Sequence, residues 1–457
     1  MGSLSPSLSL SVIVIGAGIS GLSSAIALRR AGHNITIYES HPKNASAGAG
    51  IVVCPNAVRV LRDWDLHPEQ YGMHPYKEGL IVDGVTLEAI RMVYGEGVLR
   101  AGGKPAGGVE QYMSTREDLR RMLRDEVDRE EEEKGGRGLG RVKCVYERQV
   151  VGYDAVGERP AVIFGDGTRG EADLVLACDG IKSKAARIVV GDEGLSTPVP
   201  MGFSAFRLLV DADKLESVRE KWKDNPTIRS KFDYETGQVW FSAGHPGNGQ
   251  TGKLIVWWQC GGGKVHAFDV LIPDNDERFM AKEEWLAHCE KQVLLDEFAA
   301  FHPLFRDCFA AADPPLLWKI FQREPLETMY RGGLVLMGDA LHPMPPYKAQ
   351  GGSQTIEDAG ALEICLSGMR DKSELPQRLE LLQTSRVPRY GCAQWASTVR
   401  QDEANFEERH QEVFEHCRKW FAEEDQDQFR SRDVYQGWFT RYDVRAEAKK
   451  ALNRLDR

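Results

Sequence analysis

Apolar residues fall along this chain in three textures. Residues 11–15, SVIVI, and 34–40, NITIYES, are short runs with little alternation, the mark of strands buried on both faces. Between them a glycine-rich turn leads into LSSAIALRRAG, whose spacing predicts a helix ending at Gly32. That is a β-turn-α-β unit. Residues 56–64 resume helical spacing, and 114–134 predict one long helix capped by Ser114, with Glu117 completing a capping box. Its end, DEVDREEEEKGGRGLG, predicts a solvated helix end and surface loop. Residues 161–164 and 173–177 read as strands around a GDGT turn. From Pro198 to Pro273 the texture changes: β-branched and aromatic residues alternate between Gly, Pro and Asn breaks, which predicts a sheet-rich second domain. Residues 281–312 look helical. GGLVLMGDA, at 332–340, reads as a buried strand entering a Pro/Gly loop, followed by a helix near 355–366. The stretch from 371 to the end is strongly charged and helical in pattern. No internal repeat is visible. The expected division is residues 8–195 and 326–370 as two parts of one α/β domain, 196–325 as the sheet-rich domain, and 371–457 as a helical region.

Composition narrows the function. The chain has 457 residues, 42% hydrophobic and 28% charged, enough for two or three packed domains. Acidic side chains outnumber basic ones 68 to 58, for a net charge of −10. A nucleic-acid binder shows the opposite balance, so none is expected as a partner. No run approaches the ~20 apolar residues of a membrane span. MGSLSPSLSLS lacks the regions of a signal peptide and, with Pro6, the myristoylation pattern. Nine cysteines are scattered without a CxxC pair, which argues against a disulfide framework and a metal site. A cytoplasmic setting with buried, reduced cysteines is the expectation.

Gly16-Ala17-Gly18-Ile19-Ser20-Gly21 follows a strand and opens a helix, the context a dinucleotide fingerprint requires. Gly16 permits the tight turn, Gly18 lets backbone approach a pyrophosphate, and Gly21 lets helix and strand pack closely. The helix N-terminus supplies N–H groups and a positive dipole end for the phosphates. Glu39, closing the second strand, is placed to accept hydrogen bonds from an adenosine ribose. NAD and FAD are not distinguished by this unit alone.

Two further segments do distinguish them. One is Ala172-Asp173-Leu174-Val175-Leu176-Ala177-Cys178-Asp179-Gly180. The other runs Gly338-Asp339-Ala340-Leu341-His342-Pro343-Met344-Pro345-Pro346-Tyr347-Lys348-Ala349-Gln350-Gly351-Gly352 and on to Ile356-Glu357-Asp358-Ala359. With the first motif, these resemble the single-component FAD-dependent aromatic hydroxylases that include para-hydroxybenzoate and salicylate hydroxylases. The likeness is nearest to the fungal salicylate hydroxylase-like branch and spans nearly the whole chain. Gly48-Ala49-Gly50-Ile51-Val52 with Pro55-Asn56, and Arg116-Glu117-Asp118-Leu119, belong to the same pattern. The resemblance implies an α/β fold: a Rossmann-like FAD-binding domain of the para-hydroxybenzoate hydroxylase type, a β-sheet substrate domain and C-terminal helices. It also implies roles. Asp339 contacts the FAD ribityl chain and, through water, the pyrophosphate. Pro345 and Pro346 fix the loop passing the isoalloxazine. Gly351 and Gly352 bring N–H groups to the flavin pyrimidine edge, and the helix behind them stabilises charge on reduced flavin. Gly50, Val52 and Arg116 line the FAD site, and Asp179-Gly180 and Gly338 belong to the DG and GD motifs. His342 reads as a structural hydrogen-bonding residue. Two departures stand out: Ala349 occupies a position where many relatives have Gly, and three residues separate Ser183 from Arg187, one more than usual, which puts the family role of Arg187 in doubt.

The implied reaction uses NADPH or NADH as transient reductant and O2 as co-substrate. A C4a-hydroperoxyflavin then transfers its distal oxygen to an electron-rich aromatic small molecule. A hinge at Gly48–Gly50 would let the flavin swing between reduction and oxygen transfer. Ser204-Ala205-Phe206-Arg207 matches the strand that carries a pocket arginine in fungal relatives. Arg207 is thus the candidate catalytic and pocket residue, holding a phenolate or carbonyl oxygen, against a domain-interface ion pair. Trp258-Gln259 stands where relatives have Tyr-Pro; Trp258 is either a stacking wall for a polycyclic substrate or core. Trp240 reads as core. Some fungal members epoxidise the indole 2,3-bond of alkaloids, with rearrangement to a spiro-oxindole, and indole needs no deprotonation by a tyrosine. An indole alkaloid is therefore slightly preferred over a phenolic or polyketide aromatic. His245, His266 and Tyr234 are the candidate general bases. The chain is expected to be a monomer or a homodimer. The competing functions are a flavin oxidase without oxygen insertion, a flavin halogenase, disfavoured because Trp257-Trp258-Gln259 is not its WxWxIP segment, and a colourless, non-enzymatic escort protein on the same fold.

Overall fold

The computed structural model describes residues 8–45, 49–96, 99–101, 104–105, 108–129, 140–155, 157, 159–274, 286–400, 402–403, 405–421 and 432–455. The continuous apolar runs become the centre of a six-stranded sheet. Its order is Val142–Val145, Asn34–Tyr38, Ser11–Ile15, Leu174–Ala177, Leu334–Leu336, Tyr330–Arg331. The first five strands are parallel and the last is antiparallel. Every residue of Leu174–Ala177 and Leu334–Leu336 is buried, because helices cover both faces. The helix Ile19–Arg30 packs against Gly351–Leu366. From Ser353 to Leu366 the second of these is buried on every side, enclosed also by Pro55–Asp63, Leu375–Ala396 and Val444–Leu455.

Charged residues inside that helical layer are paired. Arg386 sits 2.7 Å from Glu357 and 2.8 Å from Asp358, and Arg389 lies 2.9 Å from Glu357. Burial alone raises both carboxyl pKa values, but Arg389 and Arg386 on Glu357, and His342 and Arg386 on Asp358, hold them below the usual range. Asp358 also takes the Gly338 N–H at 3.2 Å and faces His342 Nε2 at 2.7 Å, so the network braces the turn after the strand Leu334–Leu336.

The second sheet has ten strands, from Leu286–His288 through Leu316–Gln322, Val199–Asp211, Val265–Pro273, Leu254–Cys260, Gln238–Ala243, Glu78–Asp83 and Ala89–Glu96 to Leu99–Ala101 and Lys104–Pro105. Alternation gives it two unlike faces. Phe206, Trp240, Trp257 and Phe268 enter an aromatic core with Phe298, Phe305 and Phe309. Their chain neighbours Arg207, Phe241, Trp258 and Asp269 line a cavity. Trp240 is core, as expected.

Local expectations shift in places. The long helix spans Arg116–Asp128, capped by Thr115, whose hydroxyl accepts the Asp118 N–H. Ser114 stays in a strand, paired with Ile51. The rest of the charged run, 130–139, lies outside the described residues. Within 281–312 the structure has an edge strand at Leu286–His288 before the helices Lys291–Glu297 and Pro303–Ala311. The sheet-rich region also holds two short helices, Glu216–Lys221 and Pro226–Phe232. Strands between 78 and 105, assigned by sequence to the first α/β segment, pair instead into the ten-stranded sheet.

Candidate functional site

One cavity of about 430 Å³ runs from the N-terminus of Ile19–Arg30 to the open face of the ten-stranded sheet. At the first end the chain itself is the wall. Gly16 has φ +98°, and a Cβ there would meet the Cys178 carbonyl oxygen at 2.7 Å; one on Gly21 would lie 1.8 Å from the Gly16 oxygen. A Cβ on Gly18 would meet only Arg116 Nη2, at 3.9 Å. The helix opening there has no side-chain cap and no acid in its first turn, and so has the helix starting at Gly351. Both N-termini therefore offer unsatisfied N–H groups to the cavity, a cradle for an anionic ligand. Arg116 and Asp339 complete this end. Ser20 Oγ is buried there without a hydrogen-bond partner. These residues fit a long dinucleotide pyrophosphate.

Sorted by position, Gly18, Gly50, Val52, Arg116, Asp339, Pro346, Gly351 and Gly352 line the cavity, together with Arg207 and Trp258. Gly16, Gly21 and Gly338 stand behind that wall and shape it. Glu39 Oε2 accepts the Ala17 N–H at 2.7 Å, and Oε1 accepts the His41 N–H at 2.9 Å. Burial raises its pKa, but these hydrogen bonds outweigh it and leave Glu39 below the usual carboxylate range. Asp179 departs from the expectation: its carboxylate accepts the Tyr153 hydroxyl at 2.6 Å, and Gly180 rather than Asp179 lines the cavity. Asp339 lies in the one-turn helix Gly338–Ala340, just past its strand. Ala349 has φ +53°, a left-handed conformation that costs a residue with a Cβ about 1 kcal/mol. Gly48 lies outside the described residues. Arg187 pairs with Glu193 at 3.2 Å on the surface.

At the other end side chains form the wall. Arg207 and Asp269 are directly opposed on neighbouring antiparallel strands. The guanidinium sits 4.9 Å over the Trp318 ring, with its buried Nε lacking a hydrogen bond. Trp258 packs so closely on the Gly50 backbone that a Cβ there would come within 2.0 Å of its Cζ2. It is therefore both cavity wall and core.

None of the three candidate bases lines the cavity. His245 faces Asp83 at 2.7 Å. His266 accepts the Trp257 Nε1–H at 3.0 Å; burial, and then Lys231, push its pKa down to about 3. Tyr234 packs against His74 with ring centroids 3.8 Å apart and planes tilted by 38°. Sequence reasoning missed Asp269, Tyr76, Tyr347, Arg400 and Asp402, all on the cavity wall. Asp269 had a signal: a charge on the cavity-facing side of the apolar run KVHAFDVLIP. Arg400, bonded to Asp402 and to the Gly252 carbonyl at 2.7 Å, carries the C-terminal region onto the second sheet. The cysteines are free and mostly buried, no cluster of metal-binding residues occurs among the described residues, and no helix there is long and apolar enough to cross a membrane.

Comparison with known proteins agrees with this geometry. Residues 11–137 match the FAD dependent oxidoreductase family. FAD-dependent monooxygenase phomE' of Diaporthe leptostromiformis is 32% identical over 77% of this chain and 82% of its own length. Hispidin-3-hydroxylase of Neonothopanus nambi is 30% identical over 83% of this chain and 86% of its own. The crystal structure of CtdE in complex with FAD and substrate 4 superposes with a TM-score of 0.74, at 19% identity over 98% of each chain, a likeness of fold.

Proposed function

The chain belongs to the FAD-dependent monooxygenases, and from that premise we propose that it uses NADPH or NADH and O2 to insert one oxygen atom into an electron-rich aromatic small molecule. The carrying observation is that one cavity joins the glycine-walled cradle to the sheet face bearing Arg207. FAD, when bound, supplies the reduction by nicotinamide and the activation of O2.

The chain's own residues divide the remaining work. Gly18 and the helix N-terminus behind it hold the pyrophosphate, with Arg116 adding positive charge. Glu39 takes the adenosine ribose, and Asp339 the ribityl chain. Pro346 fixes the loop that passes the ring, and Gly351 and Gly352 bring backbone N–H groups to it, where the dipole of Gly351–Leu366 favours negative charge. Gly50 and Val52 hold the ring's other side, with Trp258 behind Gly50. Arg207 donates hydrogen bonds to a phenolate or carbonyl oxygen of the substrate and orients its ring. The apolar walls keep water out. Asp179, through Tyr153, fixes the DG turn. In this division residues 8–195 and 326–370 carry the cofactor, 196–325 the substrate, and 371–457 close the cavity. The strands between 78 and 105 join the substrate side.

A phenolic aromatic is the first reading, supported by the relative named as a hispidin hydroxylase. The second is an indole alkaloid oxidised at its 2,3-bond, supported by the Trp258 ring in the wall as a stacking surface. The test is turnover of the yellow holoenzyme with NADPH under 18O2, with phenol and indole panels. Substrate-stimulated NADPH consumption with one labelled oxygen in the product is expected. Stoichiometric H2O2 with unlabelled product would make it an oxidase, and a chain that takes up no FAD would defeat the proposal.

A further inference from the structure

Asp269 has no assigned role in the reading above, and its surroundings are unusual for a carboxylate. It lies on the cavity wall among Leu254, Val256, Leu271 and Phe241. No hydrogen bond to its carboxylate is made by any described residue, and its nearest cation, Arg207 Nε, is 3.9 Å away, beyond hydrogen-bond reach. Its side chain retains 16% of its surface open. Burial pushes the carboxyl above its ordinary value, and Arg207 pulls it back only partly. The other cavity carboxylate of the sheet end, Asp402, is by contrast held by Arg400. A half-buried carboxylate that faces an apolar-walled cavity with no protein donor is free to take one from a ligand.

Arg207 is the complementary half. Its strand opposes that of Asp269 residue for residue, so the two side chains emerge side by side on one face. One can only accept hydrogen bonds and the other can only donate them. We propose that Asp269 and Arg207 together read a donor–acceptor edge of the substrate: an N–H or O–H that Asp269 accepts, next to a carbonyl or phenolate oxygen that Arg207 holds. The substrate class is thus an aromatic carrying a lactam, or a hydroxyl beside a carbonyl. This rests on the monooxygenase reading and narrows it.

The test titrates FAD-loaded holoenzyme with 2-quinolinone and N-methyl-2-quinolinone, following the visible flavin spectrum. The pair exchanges the N–H donor for an N–CH3 of larger size. Wild type should bind 2-quinolinone at least about ten-fold more tightly, the range for a hydrogen bond to a charged group. In Asp269→Ala the preference should fall within two-fold, and in the isosteric Asp269→Asn it should fall partway, which keeps the test usable if the first variant misfolds. If Asp269 merely steadied Arg207, its loss would weaken both ligands alike and leave the ratio intact, and the proposal would fail. Equal binding, or no binding, of the two by wild type would also overturn it. FAD content and NADPH oxidation of the wild type, measured alongside, report separately on the monooxygenase reading.

Discussion

The two ends of the cavity are built from different materials. At the cradle end the wall is backbone: Gly16, Gly18 and Gly21, two helix N-termini and the turn at Gly338. At the sheet end it is side chains: Arg207, Trp258, Phe241 and Asp269 stand out from strands whose other face is a packed aromatic core. A backbone wall binds a ligand common to many proteins and resists substitution where an added Cβ would strike a main-chain atom, as at Gly16 and Gly21. A side-chain wall can be rewritten one residue at a time while the strands beneath it stay put. The first end suits a fixed cofactor, the second a substrate that differs between relatives.

That contrast can be broken most severely from behind the cradle. Arg386→Ala leaves Glu357 and Asp358 buried with their charges partly unpaired. Loss of about 3–5 kcal/mol is expected in chemical denaturation. Both carboxyls are held below their ordinary values, so the stability they contribute is present above the usual carboxylate range and is lost as pH falls from there through their lower folded values. Next comes Gly21→Ala, whose Cβ would press on the Gly16 oxygen. FAD affinity should drop by roughly 100-fold or more, about 2.7 kcal/mol, read from the flavin absorbance retained on purification. At the other end, Arg207→Gln should keep its FAD while kcat/KM falls by about 100-fold, the scale for removing one positioned donor. A variant that lost FAD instead would erase the distinction between the two ends.

The effect smallest per pH unit lies in the core under the sheet. His266 is held neutral with its pKa near 3, against an unfolded value near 6.5. Its contribution is complete above pH 6.5 and is lost as pH falls from 6.5 toward 3. Wild type should lose roughly 1.4 kcal/mol more per pH unit in that window than His266→Gln, measured by thermal unfolding at stepped pH.

The same contrast explains what could be read from the sequence. Gly16 and Gly21 were legible because strand, turn and helix pack backbone to backbone there, which leaves glycine as the residue that fits. The strands of the six-stranded sheet were legible as unbroken apolar runs. Trp257 and Trp258 were ambiguous as adjacent letters, since their faces are decided by sheet register. The C-terminal stretch read only as charged and helical, yet Arg386 and Arg389 are buried because their partners sit on Gly351–Leu366, a pairing that spacing does not show. The cap after Tyr112–Thr115 slipped by one residue because Ser114 and Thr115 each stand three before an acid, and pairing with Ile51 keeps Ser114 in the strand.

The central claim is that cofactor and substrate meet in one cavity with unlike ends. A crystal structure of the FAD-loaded protein tests it most directly. The account predicts the pyrophosphate at Gly18 and Arg116, the ring beside Pro346, Gly351 and Gly352, and the ring's free edge facing Arg207 and Asp269. A flavin ring bound away from that sheet face, or separated from it by protein, would contradict it.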